Sequence, residues 1–460
     1  MHDKKKNIKQ FINGKIVDSE KPFSPAEMTE LIKRGRRINL SVDPPRQEQI
    51  VAFFSRLFNM WSDLSGRFRR AASDILGKNS GIGPSSIELV LNEFPKFFSP
   101  ENIVKKIEGE LGSARIQDEP VFQKTTNTRL IVRPAGLVLH VVAGNVFLMA
   151  VESLIDGIIA RNVNYLKMSS DESEFPMIFA QSMMECDTEE IVCKRISLLW
   201  WQGGDEAIEN IFKQLMDRIV FWGGYEALSN WKKNLGPETI IVQHGPKVSF
   251  GVVSMAGLDI SRLDELTDRI AMDMSIWEQK ACNCPQMLFI ENTIPGDRIN
   301  MFIDSLSEAL KKMNTLMPPD GRSGDDYVEV LRARELALAK DHMTNERVSV
   351  FGPDTLDWTI IYQKKSTKQQ FELSPLNRTI IIKHYLSLDF LADIIKEQAF
   401  YLQTVGYCLS EKEVLEYALV LSKIGVTRIA PFGRMLLLTA GTPHDGSYAL
   451  RDLTRFTVIE

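Results

Sequence analysis

Between Arg129 and Met255 the sequence alternates short apolar runs with amphipathic ones, and this rhythm restricts the possible folds more than any other feature. "RLIVRP" reads as a strand, Pro134-Ala135-Gly136 as a break, and "LVLHVV" as a strand ending at Val142. "VFLMAVESLIDGIIARN" has helical spacing, and "VNYLKMSS" is a strand ending near Lys167. The helical "FPMIFAQSMMEC" and "DEAIENIFKQLM" alternate with the strands "ISLLWWQG" and "DRIVFWGG"; the strands "ETIIVQHG" and "VSFGVVSM" follow. Strands interleaved with helices predict a parallel α/β sheet. Continuous apolarity, as in "LVLHVV", predicts strands buried on both faces.

A second alternating region begins with "DELTDRIAMDMSIWEQKAC", read as one helix running into two cysteines. It continues through "QMLFIE", "INMFIDSLSEALKKMN", "TIIIKHYL", "DFLADIIKEQAFYLQT" and "VLEYALVLSKIG", and "LTRFTVIE" closes the chain as a strand. "MPPDGRSGDD" at 317–326 reads as a surface loop. Upstream, Asn13-Gly14 in "FINGKIVDS" is a hairpin signal, because both turn positions need positive φ. The text from Pro45 to Leu111 is helical, with Ser99 as an N-cap. At 460 residues the chain suits two or three domains, here two α/β domains plus edge strands.

A net charge of −5 with both signs interspersed argues against nucleic-acid or acidic-membrane partners. No stretch reaches the length of a membrane span, and the basic "MHDKKKNIKQ" is followed by "FINGKIVDSE" rather than the apolar run of a signal peptide. The five scattered cysteines fit a reducing compartment, so a cytoplasmic location is expected.

Two of those cysteines, Cys282 and Cys284, fall in "EQKACNCPQ". A lone C-x-C lacks the four ligands of a tetrahedral metal site, and its spacing is not that of C-x-x-C redox pairs; no metal is expected. Two buried, inert thiols remain an option. Against it stands position, since a junction between domains is where a nucleophile is usually placed. No G-x-G-x-x-G follows a strand, and Gly223-Gly224 is either a plain turn or a place where phosphate or nicotinamide approaches the backbone. Asn145, after a buried strand, is either a helix cap or an amide donor to an oxyanion. His140, inside "LVLHVV", reads as a satisfied core histidine.

Taken in order, these segments resemble the aldehyde dehydrogenase superfamily over about residue 125 to the end. "RPAGLVLHVVAGNVF" is similar to the family's Pro-x-Gly turn, strand and Asn-Phe-type turn; "IVFWGG" is similar to its Phe-x-Gly-Ser turn; "VQHGPK" stands where it carries Glu-Leu-Gly-Gly-Lys. "EQKACNCPQ" stands where it carries Gly-Gln-x-Cys. Within the superfamily, "AGNVF", the "EQKACNCPQ" form and the ending "HDGSYALRDLTRF" look closest to the acyl-CoA reductase subunit of bacterial bioluminescence.

The resemblance implies a discontinuous cofactor domain (1–125 and 138–242), a catalytic domain (243–446) and a small β oligomerisation arm (126–137 and 447–460) in a homo-oligomer. It selects Cys282 as nucleophile, with Asn145 and the Cys282 N–H as oxyanion donors. Lys167 would meet the cofactor's ribose and Gly223 and Gly224 its nicotinamide, with Glu372 in "FELSP" as the ribose-binding glutamate if one gap is allowed. Two departures matter. The water-activating glutamate falls at Gln243, which cannot act as a base, so hydrolysis of an acyl-enzyme should be poor. An acidic residue near the ribose falls at Ser170, which leaves room for a 2′-phosphate and favours NADPH. His244, beside the vacated base, is a proton shuttle or else a surface or capping histidine. The implied reaction is reduction of long-chain acyl-CoA, or of acyl groups from acyl-protein synthetase and acyl-transferase partners, to the aldehyde used by luciferase. A hydrolytic or CoA-acylating aldehyde dehydrogenase and a catalytically silent scaffold are the rival readings.

Overall fold

The computed structural model describes residues 8–19, 21–142, 147–168, 174–343, 347–365 and 370–460. The chain divides into two compact units: 1–80, 89–245 and 439–460 form the first, and 81–88 with 246–438 the second. Besides a short excursion between Ser80 and Leu89, the chain passes between units after Gly245 and again after Leu438, where the sequence reading places the changes after 242 and 446.

The first unit opens with the hairpin β1 (Ile8–Ile12) and β2 (Lys15–Ser19), in which Asn13 and Gly14 take φ of +46° and +83°. Helices α1 (Pro25–Ser41), α2 (Gln47–Ser62), α3 (Arg67–Asn79), α4 (Pro84–Glu93, its residues up to Glu88 counted in the second unit) and α5 (Pro100–Leu111) follow. Ser99 caps α5, accepting from the Asn102 N–H. Next come β3 (Val121–Gln123), β4 (Thr128–Pro134), β5 (Leu137–Val142), α6 (Phe147–Ile159), β6 (Val163–Met168) and α7 (Glu174–Cys186). The series β7 (Ile196–Trp200), α8 (Glu206–Leu215), β8 (Arg218–Trp222), α9 (Tyr225–Lys232) and β9 (Ile240–His244) completes the alternation. Seven strands form one sheet in the order β2-β1-β7-β6-β5-β8-β9, with β5 to β9 parallel and the hairpin antiparallel at one edge. Strand order reverses about β5, which pairs with β6 on one side and β8 on the other. The carboxyl ends of the strands at such a reversal are the usual ligand position in open α/β sheets.

Helix α1 lies upstream of the helical text recognised in the sequence. Gly35 lets it approach β6, for a Cβ there would collide with the Tyr165 hydroxyl.

The second unit holds β10 (Val248–Val253), α10 (Leu263–Ser275), β11 (Pro285–Glu291), α11 (Gly296–Leu316), α12 (Gly324–Met343), β12 (Arg347–Phe351) and β13 (Thr359–Lys365). It continues with β14 (Thr379–Tyr385), α13 (Leu388–Ile395), β15 (Leu402–Cys408), α14 (Glu411–Lys423) and β16 (Arg428–Pro431). Its sheet runs β12-β13-β14-β11-β10-β15-β16, parallel except for β12. In its middle, Gly251 of β10 pairs with Gly406 of β15, and the Phe432 ring lies over both. Two expectations need correction. Helix α10 stops at Ser275, because Trp277, Glu278 and Gln279 all take left-handed φ, so the helix does not reach the cysteines. The 317–326 loop buries Arg322 and leads into α12, a helix whose apolar residues lack a clear stripe.

The chain returns to the first unit with α15 (Ala449–Asp452) and β17 (Thr454–Ile459). Strand β17 pairs antiparallel with β4, from Thr454↔Pro134 to Ile459↔Arg129, and β3 completes a three-stranded sheet. Its exposed residues include Phe456, Val458 and Ile459. No described helix is long and apolar enough to cross a membrane.

A Cβ at Gly251 would come within 2.5 Å of both Leu288 Cδ2 and Phe432 Cζ. Gly251→Ala should destabilise by about 1–3 kcal/mol through overpacking. Urea unfolding checks this as a lower midpoint with an unchanged slope.

Candidate active site

In the second unit the loop between α10 and β11 presents the two cysteines differently. Cys284 is buried, which pushes its thiol well above the usual range, whereas Cys282 is partly exposed. A thiolate is the reactive form, and burial disfavours it at Cys284. Ser249 Oγ donates to the Cys282 carbonyl at 2.7 Å and accepts from the Thr404 N–H at 3.1 Å. Ser249 sits at the register break of β10, where the ladder leaves room for a side chain to reach the loop.

The other end of the loop is held by charge. The Glu278 carboxylate is fully buried between Arg322 and Arg378. Arg322 Nε donates to Glu278 Oε2 at 2.6 Å, and Arg378 Nε to Oε1 at 3.1 Å. Arg322 also donates to the Leu356 and Asp357 carbonyls, and Arg378 to that of Met317. Leu376, Asn377 and Arg378 form a second left-handed run, and the Asn377 N–H donates to the Glu278 carbonyl at 3.0 Å. Gln279 completes the clamp: its Oε1 accepts from the Thr379 N–H, and its Nε2 donates to the Pro285 and Thr379 carbonyls. Six left-handed non-glycine residues in two facing runs are costly, and they persist because this network over-determines them.

Asp273, on α10, accepts from the Gly433 N–H at 2.6 Å. Burial pushes its carboxyl up to about 7, despite the Gly433 and Met435 N–H groups that favour the charged form. Glu372 lies in the same unit, with Lys383 at 2.7 Å and Lys340 and Gln363 at 3.2 Å, so three partners engage its carboxylate.

In the first unit, Lys167, Gly223, Gly224 and His244 gather at the carboxyl edge of the sheet. Lys167 Nζ lies 5.4 Å from the Trp201 ring centroid, and burial lowers its pKa. The buried Trp201 indole N–H has no hydrogen-bond partner among the described residues. Gly224 caps α9 with extended backbone, and a side chain there would meet nothing within 4 Å. The open Gly-Gly turn at a helix N-terminus, an ammonium and an unused donor fit the hydroxyls and phosphates of a dinucleotide at the strand-order reversal. Asn145 and Ser170 lie outside the described residues.

Gln243 is exposed, and His244 is neither at the surface nor a cap: it is buried, stacked on Trp222 and facing Asp445. His140 is the core histidine expected, bonded to Ser153 Oγ and Asn164 Oδ1, with burial pushing its pKa to about 4. Sequence reasoning missed Ser249, Glu278, Trp222 and Asp445. The Asp445-Gly446 dipeptide was a turn signal, and the polar "EQK" before an apolar strand was a second one.

The family model described as Acyl-CoA reductase (LuxC) matches residues 42–456. A long-chain acyl-protein thioester reductase of Vibrio harveyi is 25% identical, covering 98% of this chain and 92% of that protein. The protein of the same name from Photobacterium phosphoreum is 27% identical, covering 89% and 80%. Among solved structures, an oxidoreductase from Marinobacter aquaeolei has a TM-score of 0.72 at 13% identity, covering 99% of this chain and 98% of that one. Aldehyde dehydrogenase 21 from Physcomitrella patens, in complex with succinate, has a TM-score of 0.72 at 14% identity, covering 98% and 97%. These structural likenesses establish an aldehyde-dehydrogenase-like fold.

Replacing one partner of a buried ion pair strands the other, so Glu278→Gln should cost about 3–5 kcal/mol. The exposed pair Glu30–Lys33 provides the control, and Glu30→Gln should shift thermal unfolding little. For Asp273 the folded pKa of about 7 exceeds its ordinary 3.8. Between those values the folded state keeps a proton that the unfolded state has lost, so stability falls as pH rises through that window. Asp273→Asn, which retains an acceptor for Gly433, should flatten this slope in denaturant titrations across the window.

Proposed function

The chain belongs to the acyl-CoA reductase (LuxC) family, and on that premise we propose that it reduces long-chain acyl thioesters to fatty aldehydes through an acyl-enzyme on Cys282, using NADPH. The observation that carries this reading is the contrast between a partly exposed Cys282 on a clamped loop and a buried Cys284 two residues on. The names of its relatives support an acyl-protein thioester as the physiological donor, with acyl-CoA as the small-molecule equivalent. Such a donor implies a synthetase and a transferase that load the carrier, and a luciferase that consumes the aldehyde. The β3-β4-β17 sheet, whose edge strand carries Phe456 and Val458, is proposed as the arm through which copies associate.

The Cys282 thiolate attacks the thioester carbonyl and displaces the donor's thiol. Nucleophilic attack at neutral pH requires a depressed thiol pKa, since the unperturbed value is about 8.5. The developing oxyanion takes hydrogen bonds from the Cys282 N–H and, by resemblance, the Asn145 amide, each such donor being worth about 3 kcal/mol. A nicotinamide cofactor, when bound, would supply the hydride that reduces the acyl carbon. Lys167 would hold the ribose and the Gly223-Gly224 turn would leave room for the ring. The thiohemiacetal on Cys282 then breaks its carbon–sulfur bond, which frees the aldehyde and returns the thiol. Gln243 has no basic lone pair for activating water, so the acyl-enzyme awaits reduction rather than hydrolysis. Ser170 in place of an acidic residue removes a charge that would repel a 2′-phosphate.

Labelled tetradecanoyl-CoA should acylate the wild type and Cys284→Ser, while Cys282→Ser carries no label. An NADPH chase should release the label as aldehyde, with little free acid before the chase. Equal labelling of all three proteins would remove Cys282 from this role.

A further inference from the structure

At the amino ends of β6 and β7, where α6 finishes and α2 packs, there is a small cavity. All of it belongs to the first unit. Two arginines line it, Arg161 at 4% exposure and Arg195 at 2%. Pro45, Ile50, Ile158, Val192 and Ile196 give it apolar walls whose side chains accept no hydrogen bond. Asn162 and Asn164 complete the lining, and their amides are already engaged. Asn162 accepts from the Gly136 N–H and donates to the Leu453 carbonyl, while Asn164 bonds His140 and the Asn162 carbonyl.

The two guanidinium groups are only partly used. Arg161 donates from Nη1 to the Gln117 carbonyl at 3.2 Å and to the Asp118 carboxylate. Arg195 donates from Nη2 to the Val42 carbonyl at 2.6 Å. Nε and Nη2 of Arg161, with Nε and Nη1 of Arg195, are buried and have no hydrogen-bond partner among the described residues. In Arg161 those two nitrogens form one edge of the planar fork, the edge that grips an anion through two parallel N–H groups. Buried donors ordinarily find an acceptor, so four unused ones beside a single cavity point to a ligand that accepts them.

Charge and size narrow the ligand's chemistry. Asp118 pairs with Arg161, but Arg195 forms no ion pair among the described residues, and Asp43 acts on it only through space. Burial pulls the Arg195 guanidinium down to about 10, which leaves it charged at neutral pH. A buried cation without a bonded counter-charge is costly. A water molecule accepts from one or two of the donors but brings no charge. The space open to the centre of a water-sized sphere is about 10 Å³, room for one particle of that size. A halide is close to it and takes hydrogen bonds from several directions, whereas the four oxygens of phosphate need more room.

We propose that the cavity between Arg161 and Arg195 is a binding site for one small inorganic anion, chloride being the physiological member of that class. The ion accepts from the open edge of Arg161 and from Arg195. Through Arg195 it is tied to Val42, the residue that ends α1, so it joins α1, α2 and the amino edge of the sheet in one seam. The site stands apart from the reductase reading: it lies at the other end of β6 from Lys167 and shares no residue with the candidate active site.

Thermal unfolding of the full chain in sodium chloride, against sodium gluconate at equal ionic strength, tests the site. The wild-type midpoint should rise with chloride, because a ligand that binds only the folded state stabilises it, and bromide should act alike. Arg161→Lys keeps the charge and loses the paired edge, so the chloride concentration giving half the effect should rise about tenfold. Arg195→Met removes the unpaired cation, and its midpoint should be the same in both salts. Each comparison is made between salts within one protein, so a variant with a lower baseline remains readable. Wild-type crystals grown in bromide should show an anomalous peak within hydrogen-bond reach of Arg161 Nε and Nη2, a readout that needs no variant to fold. Equal chloride responses in all three proteins, or a wild type without that bromide peak, overturn the proposal and leave the cavity to water.

Discussion

The second unit is organised around one buried carboxylate. Glu278 takes no charge partner from solvent; Arg322 and Arg378 surround it, and each guanidinium then reaches backbone carbonyls elsewhere in the unit. Left unpaired, any of the three would be costly in that interior, so the segments before α12, before β14 and before the cysteines are bound to a single arrangement. The same arrangement holds six left-handed residues that an isolated chain would rarely visit. Cys282 inherits its geometry from this, with its carbonyl fixed by Ser249 at the opposite end of the loop.

Each sheet reverses its strand order about a central strand, and the candidate site residues lie near those reversals and their loops. In the first unit β5 is that strand, and Lys167, Trp201 and the Gly223-Gly224 turn line the carboxyl edge near it. In the second, β10 shifts register at Ser249, and Gly251 of β10 with Gly406 of β15 makes room for the Phe432 ring. Both units therefore spend backbone irregularity on placing a few groups, while most buried residues of the surrounding strands are apolar.

The two histidines of β5 and β9 show how environment separates residues of one type. His140 is neutralised by burial and satisfied on both sides, so it serves the core. His244, also buried, instead stacks on Trp222 and faces Asp445 from a distant turn.

Much of this was legible from residue order. Period and punctuation placed the Asn13-Gly14 hairpin, the strands from Leu137 to His244, the helix from Phe147, the Ser99 cap and the final strand, because local apolar spacing and turn chemistry act over a few residues. Cys282, Lys167 and Gln243 were singled out instead by the resemblance to the aldehyde dehydrogenase superfamily. Helix α12 escaped because its apolar residues do not line one side, and the end of α10 escaped because nothing local forces Trp277 to Gln279 into left-handed backbone. That conformation is imposed by Arg378, a hundred residues away along the chain. The sequence by itself determined which elements form and which thiol, ammonium and imidazole are available. Only the tertiary structure decided which cysteine is partly exposed, which carboxylate faces His244 and what holds the Cys282 loop, since these depend on contacts between segments distant in the chain.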